Sequence, residues 1–175
     1  MSAPSNSTST RHMRMLTRYK AWANESVFSM MRALPLEEVT RPRQTRFGNM
    51  IHTLNHVYVI DRVFQAHLLG HAHGYTARNT PTHPPLPTLH EAVQLLDRWY
   101  VDCADALLPA QLDEPIEFEF IGGGSGTMTR QEMLLHIVNH GTYHRGFVGD
   151  MMYQAGVTPE ATDLPVFLRD GGQQV

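Results

Sequence analysis

The chain has 175 residues, enough for one domain with its own core and too few for two comfortable ones. Its hydrophobic share of 42% predicts a folded globule; its net charge of −3, with histidines neutral and no basic run, gives no electrostatic attraction to nucleic acid or to an acidic membrane. No apolar stretch reaches the roughly 18 residues that span a bilayer, and the single cysteine, Cys103, forms no internal disulfide and no CxxC site, which suits a reducing, cytoplasmic compartment.

The start, MSAPSNSTST, is polar and lacks the apolar core of a secretory signal; residues 1–10 read as a disordered tail, and a single domain is expected over 11–170. The first helix is predicted over 11–33, where Leu16, Tyr19, Ala23, Val27, Met30 and Met31 recur at helical spacing before Leu34 and Pro35 close it. A second runs from about Phe47 to Leu69 and stops at Gly70. The following stretch, GHAHGYTARNTPTHPPLPT (70–88), is too rich in proline for regular structure. Its length predicts a crossover between non-adjacent helices, or a lid over a site.

Thr88 and Glu91 have the spacing of a capping box and are expected to open the third helix, which runs to about Leu108. IEFEFI (116–121) alternates as a strand, GGGSG (122–126) is a flexible turn, and Thr127-Met128 is a short returning strand. Thr129 and Glu132 form a second capping box, opening a fourth helix that ends near Ala155-Gly156. The tail is expected to lean on the helices through Leu164, Phe167 and Leu168. The predicted fold is therefore all-α: a four-helix bundle with a long crossover connection and a small β-hairpin before the last helix.

HIVNHGTYHRG (136–146) places His136, His140 and His144 at four-residue intervals. Residues four apart on a helix sit nearly above one another and can share an ion, whereas residues eight apart are separated by about 12 Å. The ligand pair must be 136/140 or 140/144. The apolar stripe of Leu134, Ile137, Val138, Gly141, Val148 and Met152 puts His144 at the edge of the core face, His140 one step out and His136 nearly opposite, towards solvent. That selects His140 and His144, unless they are an ordinary hydrogen-bonded pair. Two ligands hold a catalytic metal poorly, so a third is needed. HTLNHVYVIDR (52–62) offers His52 or His56, and periodicity leaves that choice open because the helix is apolar on two sides. His71, His73 and His83 read as loop residues, and His12, His67 and His90 as residues of solvated faces. No GxSxG elbow or Walker loop occurs, and Cys103 reads as a small core residue.

LTRYKAWANESVF, LNHVYVIDRVF and LLHIVNHGTYHRGFVGDMMYQAG followed by DLPVFL resemble the DinB/YfiT-like family over about residues 12–170. The resemblance implies a four-helix bundle with one divalent metal, nickel or zinc, held by His56, His140 and His144. It implies a thiol-dependent transferase or a hydrolase acting on a small molecule, with a low-molecular-weight thiol as a partner, and it implies a homodimer. The alternative is a non-catalytic, metal-stabilised stress-related or binding protein; a haem bundle fits convergent histidines badly. Phe147 stands where many members carry Gln. Asp61 and Arg145 also match the family pattern and are expected to pair between helices, while Tyr143 is a candidate donor near the site and Tyr58 a packing residue. No catalytic acid or base is identified.

Overall fold

In the computed structural model, which describes residues 8–170, four long helices form the bundle: α1 (Thr8–Arg32), α3 (Met50–Leu68), α4 (Leu86–Ala106) and α5 (Arg130–Gln154). A short α2 (Leu36–Thr40) bridges α1 and α3, a 3₁₀ turn (Pro109–Asp113) follows α4, and α6 (Leu164–Asp170) ends the described chain. Strands β1 (Pro115–Glu119) and β2 (Ser125–Thr129) pair antiparallel, Phe118 opposite Gly126, around three consecutive glycines, Gly122–Gly124, all at positive φ.

The expected all-α bundle with a crossover and a hairpin is what the chain forms, with differences at the ends of elements. Helix α1 already begins at Thr8, so residues 8–10 are not tail; residues 1–7 of the expected disordered tail lie outside the described residues. The predicted Thr88 cap is not used. Helix α4 starts earlier, at Leu86, with Pro87 in its first turn, where the missing N–H costs nothing. The second capping box forms as expected: Glu132 N–H donates to Thr129 Oγ1, and Thr129 N–H to Glu132 Oε2. The tail leans on the bundle as expected, through α6, with Leu164 and Leu168 against the core and Phe167 buried against Tyr19 and Trp22 of α1.

The core has two apolar halves. One gathers Met13, Tyr19 and Ala23 of α1, Val63, Phe64 and Leu68 of α3, Leu96, Tyr100 and Ala104 of α4, and Met133, Leu134 and Ile137 of α5. The other gathers Val27, Phe28 and Met31, then Met50, Ile51 and Leu54, then Leu86, Leu89 and Val93, then Val148, Met151 and Met152. Helices α1 and α5 meet the first half with their earlier residues, whereas α3 and α4 meet it with their later ones. The two pairs thus run in opposite directions, and α3 and α4 are parallel to each other. This explains the long connection. Helix α3 is about 28 Å long, and a chain leaving its end must return that distance before α4 can start beside its beginning. Residues 69–85, which reach about 56 Å when extended, make this return over the outside of the bundle.

Between the two halves lies a polar layer. Lys20 of α1, with 1% of its side chain exposed, is held by Asp61 of α3 at 2.8 Å and Asp97 of α4 at 2.5 Å. Asn24 Nδ2 donates to Asp97 at 2.8 Å, and Asn24 Oδ1 accepts from Arg145 Nη1 of α5 at 2.9 Å, so all four long helices contribute. Gly141 leaves room for this layer: a Cβ there would lie 3.0 Å from Arg145 Nη1. The expected Asp61–Arg145 pair does not form. Lys20 lies between α1, α3 and α4 and takes Asp61, while Arg145 bonds Asn24 and Thr142 and packs over the Tyr19 ring.

Candidate metal centre

At the level of that polar layer, α3 and α5 bring His56, His140 and His144 together. One ring nitrogen from each lies within 4.8 Å of the others. Helix α3 supplies His56, fixed at its amino end by Asn49, whose side chain accepts from the His52 N–H. Helix α5 supplies His140 and His144 one turn apart. His56 and His144 are 5% and 7% exposed, and His140 is half-buried.

The hydrogen bonds around His56 decide its tautomer. Its Nδ1 donates to the carbonyl oxygen of Arg78 at 2.6 Å, so its Nε2 carries a lone pair. That Nε2 lies 3.2 Å from Nε2 of His140. Two nitrogens bonded to one zinc-sized ion at about 2.0–2.1 Å in tetrahedral geometry lie about 3.3 Å apart, so the spacing fits a shared ion. Nδ1 of His140 and of His144 are buried with no protein partner. Burial, then repulsion from His144 and His56, takes the His140 pKa down to about 2, and burial followed by His56 takes His144 down to about 4. Burial also lowers His56. Three neutral imidazoles with no carboxylate in the cluster leave an ion its full positive charge, and the donor set suits a borderline divalent metal.

The crossover is fastened against this centre. Asn55 Nδ2 donates to Asn79 Oδ1 and, at 2.7 Å, to Thr80 Oγ1, while Asn79 Nδ2 donates to the carbonyl of His52 at 3.1 Å. The returning chain therefore also presents the Arg78 carbonyl that orients His56. Phe47 stacks on His56 with ring centroids 4.2 Å apart and meets His144 edge-on at 5.5 Å. Phe147, the position that departs from the family pattern, lies 5.9 Å from the His144 ring and forms an apolar part of its rim.

On the other side, His56 and His140 border a cavity of about 230 Å³ that is also lined by Ile60, Val63, Phe64, Arg78, His136 and the hairpin residues Phe118–Ile121. Sequence reasoning missed Phe47, Arg78 and the hairpin as parts of the site. The alternation of IEFEFI was a signal for a strand with one inward face, but nothing local says that this face looks towards α3 and α5.

The remaining histidines fall differently. His52 is half-buried beside His83, their rings 6.4 Å apart, and is not in the triad. His136 is not near solvent as the helical wheel predicted; it is half-buried, 4.4 Å from the Phe64 ring, because the hairpin covers that side of α5. His67 and His90 are buried rather than solvated. His67 bonds the Glu119 carbonyl at 3.2 Å, and His90 stacks on Phe28 between Glu25 and Arg32. Tyr143 is 63% exposed with its ring 5.1 Å from His144, and Tyr58 packs against the core. Cys103 is half-buried, and burial raises its thiol pKa.

Comparisons with known proteins agree with this architecture. The sequence profile of the DinB family matches residues 1–173. Protein DinB of Bacillus subtilis (strain 168) is 30% identical over 161 residues, covering 87% of this chain and 91% of that protein. The crystal structure of a DinB-like protein from Bacillus cereus ATCC 10987 superimposes with a TM-score of 0.61 at 19% identity, covering 79% of this chain and 89% of the other. That structural likeness establishes the fold.

Proposed function

The chain belongs to the DinB family, and from that premise we propose that it is a metal-dependent enzyme acting on a small molecule, as a thiol-dependent transferase or a hydrolase. Its cofactor is one divalent ion, nickel or zinc, on His56, His140 and His144. The observation that carries this reading is the convergence of three neutral imidazoles beside an apolar cavity. A divalent ion with three protein ligands keeps a position for an exogenous ligand and lowers the pKa of a coordinated water or thiol.

The chain's own residues prepare for that chemistry. The Arg78 carbonyl holds the His56 ring in the tautomer whose Nε2 faces the centre. Phe47 and Phe147 shield the histidines on one side, so that approach is expected from the cavity side. No Asp or Glu joins the cluster, and Glu119 borders the cavity from an exposed position. That donor set favours activation of a thiol, or of water without carboxylate assistance. Among the described residues no helix is long and apolar enough to cross a membrane. We place the protein in the cytoplasm, in keeping with its single cysteine, and expect a homodimer, which a light-scattering mass of one chain overturns.

The test is elemental analysis of tag-free protein beside His144→Ala, followed by thiol titration of the cobalt-substituted protein. About one divalent ion per chain, lost in the variant, together with a thiol-dependent change in the cobalt spectrum, supports the enzyme reading. A bound ion that no thiol perturbs favours a metal that only ties α3 to α5. No metal after reconstitution with nickel and zinc removes the proposal.

A further inference from the structure

The cavity beside the triad has features that the metal reading does not use. Its walls are mainly apolar: Ile60, Val63 and Phe64 from α3, and Phe118, Phe120 and Ile121 from the hairpin. At about 230 Å³ it exceeds the roughly 150 Å³ apolar cavity known to accept benzene. The wall is braced where it matters. The tip of the Phe118 ring reaches over Gly126 of β2, so close that a Cβ there would come within 2.7 Å of it, and its centroid lies 6.1 Å from that of Phe64. Phe120 stands edge-on to Phe118, their centroids 4.9 Å apart, with half of its surface exposed at the mouth.

Two polar groups interrupt this lining. His136 presents a ring whose nitrogens bond no described residue. Arg78 reaches the cavity from the crossover and enters no ion pair among the described residues. One face is thus two of the three donors, His56 and His140, the walls accept a flat apolar group, and the rim offers a guanidinium.

We infer that this cavity is the specificity pocket of the site: it takes a single aromatic ring from a substrate whose metal-binding end reaches His56, His140 and His144, with Arg78 receiving an anionic substituent. The inference rests on the metal-dependent reading above, and its test separates the two. The ring subsite is probed without metal. Saturation-transfer NMR on the metal-free chain is expected to show toluene bound, and Ile60→Trp, which fills the pocket one turn along α3 from His56 and is checked for retention of one zinc per chain, is expected to abolish it. With zinc-loaded protein, benzyl mercaptan is expected to bind on the order of tenfold to hundredfold more tightly than ethanethiol, as burial of a ring implies, and Ile60→Trp is expected to close that gap. A zinc-loaded protein that binds both thiols equally, and a metal-free one that ignores toluene, overturn the pocket while leaving the metal reading intact. Toluene bound and displaced by Ile60→Trp, with neither thiol bound to the zinc-loaded protein, supports the ring subsite and overturns the thiol reading alone. For Arg78, 4-(mercaptomethyl)benzoate is expected to bind several-fold more tightly than benzyl mercaptan, and Arg78→Gln to erase that preference. Equal binding of the two by the unaltered protein overturns the anion-receiving role.

Discussion

The Lys20–Asp61–Asp97–Arg145 layer and the histidine triad lie at the same level of the bundle, one among the four helices and the other between α3 and α5. Both sit where the two apolar halves of the core meet, and both are largely buried. The charged layer is balanced in itself: two cations, two carboxylates and Asn24 pair across four helices, with only Asp61 Oδ1 and Arg145 Nε of these groups buried without a partner. The triad has three lone-pair donors and no cation of its own. A buried cluster that neutralises itself is architecture, whereas one whose converging lone pairs have no cation between them invites a ligand. The largest effect should show this contrast. Lys20→Met leaves two buried aspartates without their shared cation and is expected to cost about 3–5 kcal/mol in a denaturant melt. His144→Leu in the metal-free protein removes a buried nitrogen that has no partner, and is expected to change stability by less than about 1 kcal/mol. A Lys20→Met variant as stable as the parent would remove the distinction.

The second prediction reverses the comparison by adding the missing cation. A saturating divalent ion is expected to stabilise the parent by about 4 kcal/mol at a thousand times its dissociation constant, and to do nothing for His56→Ala, His140→Ala or His144→Ala. Lys20→Met, if folded, should gain nearly as much as the parent, because its defect lies in the other cluster. Thermal melts with and without nickel or zinc measure all five proteins side by side.

The two clusters were unequally legible in the sequence. His140 and His144 stood out because helical periodicity alone puts them on one edge of α5. His56 needed the family resemblance, since an α3 buried on nearly all sides has no single stripe to read. The charged layer was invisible for a different reason. Lys20 and Asp97 are 77 residues apart, and each looks like a residue of a solvated helix face until the helices meet. Asp61 and Arg145 were recognised as facing inward, but were paired with each other because the intervening α1 lysine has no signature. Local chemistry was legible where one turn encodes it, as at Thr129 and Glu132, and misread at Thr88, where Pro87 allows the helix to start sooner. The crossover was recognised by its length and composition. That its Arg78 carbonyl fixes His56 depends on the path back along parallel helices, which composition does not specify.

That crossover supplies the third test, because it supports the triad and not the charged layer. Asn55→Ala removes the side chain that bonds Asn79 and Thr80, and so loosens the segment that orients His56. Loss of such an orienting contact is expected to weaken metal binding about 10–100-fold without abolishing it. Competition against a chromophoric chelator measures the change. Unchanged affinity would mean that the Arg78 carbonyl is held by something other than the Asn55 bridge.

The smallest effect sharpens the comparison through pH, because the two clusters respond with opposite signs. In the metal-free protein, burial holds His140 at about 2 and His144 at about 4, both below the ordinary value of 6.5. Their contribution to stability is present above pH 6.5 and is lost as pH falls towards those values, since the unfolded chain binds protons that the folded chain refuses. Asp61 behaves the other way. Burial raises it from 3.8 to about 6, against the pull of Lys20, so its contribution is present below about pH 4 and is lost as pH rises through 6. Between pH 6 and 4 the folded chain thus gains from Asp61 while it loses at two histidines, and the histidines prevail by number. The metal-free parent is therefore expected to become less stable as pH falls across this window. His144→Gln, which takes one neutral imidazole out of the balance, should reduce that slope by about 1.4 kcal/mol per pH unit. Asp61→Asn should change it in the opposite sense, steepening the acid loss by removing the group that opposed it. Chemical denaturation at pH 6, 5 and 4 tests both. Slopes that change the same way in the two variants would contradict the assignment of one cluster as neutral donors and the other as buried charge.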